Sequence, residues 1–232
     1  MDQRLPSGIS VIIPARNEEE RISATVEAAK GLPHVKEVLV VDDGSTDETA
    51  RLANEAGARV IVLRKNVGKA AAVMQGYALA GFRWVLLLDA DLAATATEAD
   101  CLISPIVSGQ ADMTIARFPE VPGRGGGAGI VVRLARWGAY RLGGVKLRAP
   151  LSGQRCLERE AMEAALPFSG RFGLETSLNV AVARAGFRIL EVETSMDHRV
   201  THNDWRGRIH RARQCIDVVA ALIRSVHFPW KP

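Results

Sequence analysis

The sequence predicts an α/β protein built on one mostly parallel central sheet flanked by helices. Three observations carry that prediction. Short β-branched runs alternate with helix-length amphipathic stretches through the first half of the chain, the pattern of parallel strands joined by right-handed crossovers. The run Trp84-Val85-Leu86-Leu87-Leu88 shows no polar alternation, as expected of a strand buried on both faces. Three successive strand ends then finish in polar residues: Arg16-Asn17-Glu18, Asp42-Asp43-Gly44-Ser45 and Asp89-Ala90-Asp91. Open α/β sheets bind ligands outside the carboxyl ends of their strands, so these three segments mark one functional edge.

Taken in order, residues 9–13 form the first strand, ended by Pro14. Asn17 is placed to cap the next helix, with Glu18, Glu19 and Glu20 against its positive end and Ile22, Val26 and Ala29 as its buried stripe. Strands at 38–41 and 60–63 and helices at 49–56 and 69–80 continue the alternation up to the strand at 85–88. A helix at 98–107 and a strand at 113–116 follow. Residues 119–129 hold two prolines and five glycines, which suits either a loop closing on a ligand, with Arg117 and Arg124 as anion contacts, or a surface insert. Beyond it come a helix at 131–142, a turn and short strand at 151–157, and a helix at 158–165. A glycine-punctuated loop then delivers Glu175 to the start of another helix, before a strand at 189–192. The last helix, 206–225, carries an apolar stripe and a basic first half. Such a helix either packs on the domain or lies on an anionic membrane.

With 232 residues, 47% hydrophobic and 24% charged, the chain suits one soluble domain, and no linker divides it. The boundaries expected inside that domain are 1–117, 118–205 and 206–232. A net charge of +4 without a recognisable binding motif speaks against nucleic acid and for a small anionic ligand or a membrane surface. Cys101, Cys156 and Cys215 are widely spaced and odd in number, which fits a reducing compartment. Residues 1–10 hold no apolar signal core, and no apolar run approaches the length of a membrane span. The expectation is a cytoplasmic protein, with peripheral contact at the inner membrane face left open.

The chemistry centres on Asp89 and Asp91. Two carboxylates this close repel unless a proton or cation intervenes, and a hard divalent metal is one answer. The competing reading is an exposed Asp-x-Asp turn capping the following helix. Lys69, after Asn66-Val67-Gly68, either reaches a phosphate beside a helix N-terminus or is a solvated lysine. This is not a P-loop, because the second glycine and the Lys-Ser/Thr pair are missing. Glu175 either serves its helix dipole or points into a pocket. His198 and His202 are candidate metal ligands or ordinary residues after a strand.

The segments at 11–19, 40–47, 66–69 and 88–91 together resemble nucleotide-sugar glycosyltransferases of family 2, with the GT-A (Rossmann-like) fold. The second half is similar, at 150–154, 172–175 and 197–199, to the glucosyl-3-phosphoglycerate synthase and polyprenyl-phosphate glycosyltransferase branch. That resemblance implies a UDP-sugar donor, Mn2+ or Mg2+, and a small phosphorylated or polyprenyl-phosphate acceptor. It assigns residues 1–117 to the donor and 118–205 to the acceptor. Pro14, Ala15, Arg16 and Glu18 would hold the nucleoside, with Asp43 and Ser45 facing base and ribose. Lys69 would meet base or phosphate and Asp89 the ribose, with Ala90 also among the donor-binding residues. Asp91 and His198 would bind the metal, and Glu175 would touch hydroxyls of the transferred sugar. Asp91 and Glu175 are thus the expected catalytic pair. Whether the reaction retains or inverts stays open, as does a homodimer. Nucleotidyltransferases of related fold usually carry a glycine-rich loop after the first strand, and Pro14-Ala15-Arg16-Asn17-Glu18 has no glycine. A non-enzymatic sugar-nucleotide sensor is the remaining alternative.

Overall fold

The structure, a computed structural model, describes residues 5–118, 129–166, 173–196 and position 219. The glycine-rich segment, His198, His202 and the basic helix at 206–225 fall mainly or wholly outside the described residues. The chain runs β1 (Ile9–Ala15), α1 (Ile22–Lys30), β2 (Val35–Asp42), α2 (Thr49–Glu55), β3 (Arg59–Val62), α3 (Lys69–Leu79) and β4 (Trp84–Leu87). A 3-10 helix (Ala93–Ala99) leads into α4 (Asp100–Val107), β5 (Met113–Arg117), α5 (Ile130–Gly143), β6 (Arg155–Glu158), α6 (Arg159–Glu163), α7 (Leu174–Arg184) and β7 (Ile189–Glu193).

These strands form one seven-stranded sheet in the order β3-β2-β1-β4-β6-β5-β7. β1 is parallel to both β2 and β4, and β2 to β3. β6 runs antiparallel to β4 and β5, whereas β5 and β7 are parallel. Strand order therefore grows outward from β1 through β2 and β3, then restarts on its other side with β4. That makes the carboxyl ends of β1 and β4 the topological switch point, where an open sheet leaves a crevice.

Alternate residues of the central strands feed two apolar layers. Val11 and Ile13 join Val26, Leu102 and Ile106 on one face. Ile12, Leu39 and Leu87 join Val73, Tyr77 and Leu178 on the other. This two-sided burial explains the unbroken apolar runs. α3 lies close to the sheet because residue 76 is glycine: a Cβ there would meet Ile12 Cγ2 at 2.6 Å.

Two sequence expectations are corrected, at Pro14 and at Asn17. Pro14 does not end β1: the strand continues to Ala15, with Pro14 opposite Val41 of β2. Pairing with β4 stops at Ile12 and Leu87, followed by one bond from the Leu88 amide to the Ile12 carbonyl. Proline has no N–H to extend that ladder, so the gap between β1 and β4 opens at Pro14. Asn17 does not cap α1. It sits at φ +55°, and the helix begins at Ile22 without a side-chain cap, its first amides turned to the Glu18 carbonyl. The helix expected at 98–107 is preceded by the 3-10 turn that carries the chain away from Asp91.

Candidate active site

The turn after β4 is held from the side by α1. The Thr25 hydroxyl donates to the Ala90 carbonyl at 2.9 Å and accepts the Ala93 amide at 2.8 Å. Arg21 Nη1 donates to the Asp91 carbonyl at 2.9 Å. Ala93 takes φ +50°, a conformation that non-glycine residues adopt only when their surroundings enforce it. Ala90 is thereby buried, and Asp89 and Asp91 on either side of it are half-buried at the switch-point rim.

Asp89 faces a cluster assembled from distant parts of the chain. Lys69 Nζ, at the start of α3, lies 2.7 Å from Asp89 Oδ1 and 3.1 Å from Glu175 Oε1, in the first turn of α7. The Gln154 amide donates to Asp89 Oδ2 at 2.7 Å. Burial works against the Lys69 ammonium, but the charges of Asp89 and Glu175 and their hydrogen bonds outweigh it and raise its pKa above the ordinary lysine value. Gly153 lets the backbone pass directly over this pair. A Cβ there would lie 2.6 Å from Lys69 Nζ and 2.8 Å from Asp89 Oδ2.

Beneath the cluster Arg155 is fully buried. Its guanidinium donates to the Ser152 carbonyl at 2.7 Å, to Asn179 Oδ1 at 2.9 Å and to the Pro150 carbonyl, while Asn179 Nδ2 donates to the same Pro150 carbonyl at 2.8 Å. Burial pushes its pKa down to about 10, against the opposing charges of Glu175 and Asp89, so it remains a cation at neutral pH. The turn at 150–154 that carries Gly153 and Gln154 is thus pinned to α7 from below.

The loops after β1 and β2 are stitched to each other. The Asn17 amide donates to Ser45 Oγ at 3.0 Å, and the Thr46 amide returns a bond to Asn17 Oδ1 at 2.9 Å. Ser45 also bonds Asp42 through its hydroxyl and its amide. Asp43 accepts the Val67 and Gly68 amides at 2.6 and 2.8 Å, so two donors at the start of α3 already serve a carboxylate of this protein. Pro14 and Glu18 are half-buried at this end of β1, Ala15 is buried and Arg16 is exposed.

The structure therefore brings Lys69, Asp89 and Glu175 into contact and sets Ala90 and Asp91 beside them. Asp43 and Ser45 stand behind them in the loop scaffold. Glu175 proves to lie in the first turn of its helix and to face the cluster at once. Sequence reasoning assigned no part to Arg21, Thr25, Arg155 or Asn179, and quoted Gln154 only as part of a motif. Arg155, a charge directly before the apolar pair Cys156-Leu157, is the available signal. Among the described residues no group of three or more His, Cys, Asp or Glu side chains is arranged around a metal. Ser195 Oγ, just after β7, donates to Glu98 Oε2 at 3.0 Å in the 3-10 helix that follows Asp91.

A mostly parallel sheet with β6 reversed inside it, and an Asp-x-Asp at the switch-point end of β4, define a glycosyltransferase of the GT-A fold. Residues 10–143 match the glycosyl transferase family 2 profile, and the chain belongs to that family. It is 31% identical over 209 residues to glycosyltransferase AglJ of Haloferax volcanii, covering 86% of this chain and 66% of that protein. It is 36% identical over 132 residues to an undecaprenyl-phosphate 4-deoxy-4-formamido-L-arabinose transferase of Pseudomonas fluorescens, covering 48% and 39%. The chain thus spans under two thirds of the length of both relatives. Among solved structures it resembles glucosyl-3-phosphoglycerate synthase of Mycobacterium tuberculosis. The complex with Mn2+, UDP and glucosyl-3-phosphoglycerate gives a TM-score of 0.76 at 26% identity, covering 96% of this chain and 81% of that one. The Mg2+ and UDP complex gives 0.78 at 25% identity, covering 96% and 80%. Among the described residues no helix is long and apolar enough to cross a membrane.

Proposed function

We propose that this glycosyltransferase moves a sugar, glucose in the first instance, from a UDP-sugar to a small phosphorylated acceptor such as 3-phosphoglycerate. The observation that carries this reading is the Lys69–Asp89–Glu175–Gln154 cluster beside Asp91. A cation, two carboxylates and an amide at one rim match the phosphate and hydroxyl groups of a sugar nucleotide. The solved synthase, bound to Mn2+, UDP-glucose and phosphoglyceric acid, supports the choice of donor and acceptor.

In this reading residues 1–117 serve the donor and 118–205 the acceptor. Pro14, Ala15, Arg16 and Glu18 border the nucleoside, and Asp43 and Ser45 hold the loops around it. Asp89 and Ala90 face the ribose. Lys69 keeps its proton and sets a positive charge beside base or phosphate, and Glu175 orients hydroxyls of the transferred sugar. The donor chemistry fits Mn2+ or Mg2+: Asp91 is a half-buried carboxylate at a strand end, and His198 adds an imidazole. Asp91 and His198 would hold the cation, which would supply positive charge against the leaving diphosphate.

Mass spectrometry of products from UDP-sugars offered with 3-phosphoglycerate tests the proposal, and calorimetry with UDP and manganese tests the donor half separately. Glucosyl-3-phosphoglycerate and metal-dependent UDP binding are the expected results. A second reading keeps the donor and hands the sugar to a polyprenyl phosphate, favoured by the relative named for undecaprenyl phosphate. Adding a detergent-solubilised polyprenyl phosphate to the same assay separates the two.

A further inference from the structure

α5 packs small residues, with Leu134 and Leu142, against the domain and turns a second set of large side chains outward. Ala135, Gly138 and Ala139 are buried, and a Cβ on Gly143 would meet Ala183 of α7 at 3.1 Å, so this helix packs closely on α7 through small side chains. On the opposite side Ile130, Trp137 and Tyr140 are 76%, 55% and 51% exposed, with exposed Arg133 and Arg141 among them. At 3.6 residues per turn these five positions fall on one stripe about 100° wide. Lys146 extends it, its ammonium 5.7 Å from the centre of the Tyr140 ring. No residue from 121 to 157 is acidic. The carboxylate that reaches this stretch from β7, Glu191, is tied to the Arg148 and Ala149 amides at the far end of the connection.

We propose that this stripe of α5 docks the enzyme peripherally on an anionic phospholipid surface. Trp and Tyr place an apolar ring body and a polar edge at the headgroup boundary, Ile130 adds apolar depth, and the cations meet the lipid phosphates. Charge decides the occupant. A second copy would set one acid-free cationic stripe against another. The segment at 206–213 has Arg206, Arg208, Arg211 and Arg213 and no acid, so its charge offers this stripe no complement either. The inference concerns where the enzyme works and stands whichever acceptor it uses.

Co-sedimentation of the full chain with sucrose-loaded vesicles tests it, comparing pure phosphatidylcholine with vesicles holding about 30 mol% phosphatidylglycerol. The wild type should pellet with the anionic vesicles and stay in solution with the neutral ones. Trp137→Ala with Tyr140→Ala, and separately Arg133→Glu with Arg141→Glu, should each weaken that partition at least about tenfold, with circular dichroism unchanged. A wild type left in the supernatant, or partition that neither double variant alters, overturns the proposal. So does a face that instead reports on self-association, with the variants turning a dimer into a monomer in sedimentation velocity. Variant-sensitive binding of single-stranded RNA without vesicle binding would equally overturn it.

Discussion

Lys69 Nζ sits 2.7 Å from Asp89 Oδ1 and 3.1 Å from Glu175 Oε1, joining the start of α3, the end of β4 and the start of α7 in a single contact. Replacing it with methionine leaves two carboxylates facing each other at the donor rim. Lys69→Met should lower kcat/KM by about 10²- to 10³-fold, as removal of a preorganised charge does, measured by steady-state kinetics with the preferred UDP-sugar. The pH dependence follows from the raised pKa. A lysine whose folded-state pKa lies above its usual 10.5 contributes stability that is fully present below that value and lost only as pH rises through the raised one. The stability difference between wild type and Lys69→Met should therefore be flat from about pH 6 to about pH 10 in urea titrations. A decline well below pH 10 would contradict the pairing.

Gly153→Ala should separate activity from stability. The added methyl is directed at Lys69 Nζ and the Asp89 carboxylate, at 2.6 and 2.8 Å, so the pair must open. Turnover should fall at least about tenfold, while the melting temperature shifts by only a few degrees, about what 1 kcal/mol produces in a chain of this size. Kinetics and thermal melts on one preparation check both halves.

Arg155→Met should chiefly destabilise. It leaves Asn179 Oδ1 and the Ser152 carbonyl, both turned to the guanidinium, without their donor in a buried setting. Each acceptor left without its donor costs about 1–3 kcal/mol. Arg155→Lys should recover little, because a point ammonium cannot reproduce the planar fork. Urea midpoints of both variants measure the loss, and a wild-type midpoint in Arg155→Met would refute the anchoring role.

Asp91→Ala should abolish metal-dependent UDP binding and leave the fold intact. The residue lies past the end of β4, and it is its backbone carbonyl that α1 grips through Arg21. Calorimetric titration with UDP and manganese provides the check, and unchanged affinity would remove Asp91 from the metal site.

Local pattern carried the fold class far. Residues 85–88 read as a doubly buried strand because Val85 and Leu87 do face one apolar layer and Leu86 and Leu88 the other. The three polar strand ends reached the same edge because parallel strands with right-handed crossovers put every carboxyl end there. Where the reading went astray, long-range geometry overrode local preference. Asn17 looked like a helix cap, yet its side chain closes a bond to Thr46 in the neighbouring loop. Pro14 looked like a strand terminator, yet it only ends pairing on the β4 side.

The sequence by itself determined the α/β class, the family and the identity of the residues at the strand ends, because periodicity and turn chemistry act over a few neighbouring residues. Only the tertiary structure decided that β6 inserts antiparallel between β4 and β5, bringing Gln154 onto Asp89, and that Glu175 meets a lysine 106 positions earlier. Those contacts depend on which strands pair and how closely the helices approach, and that is settled by packing across the whole sheet.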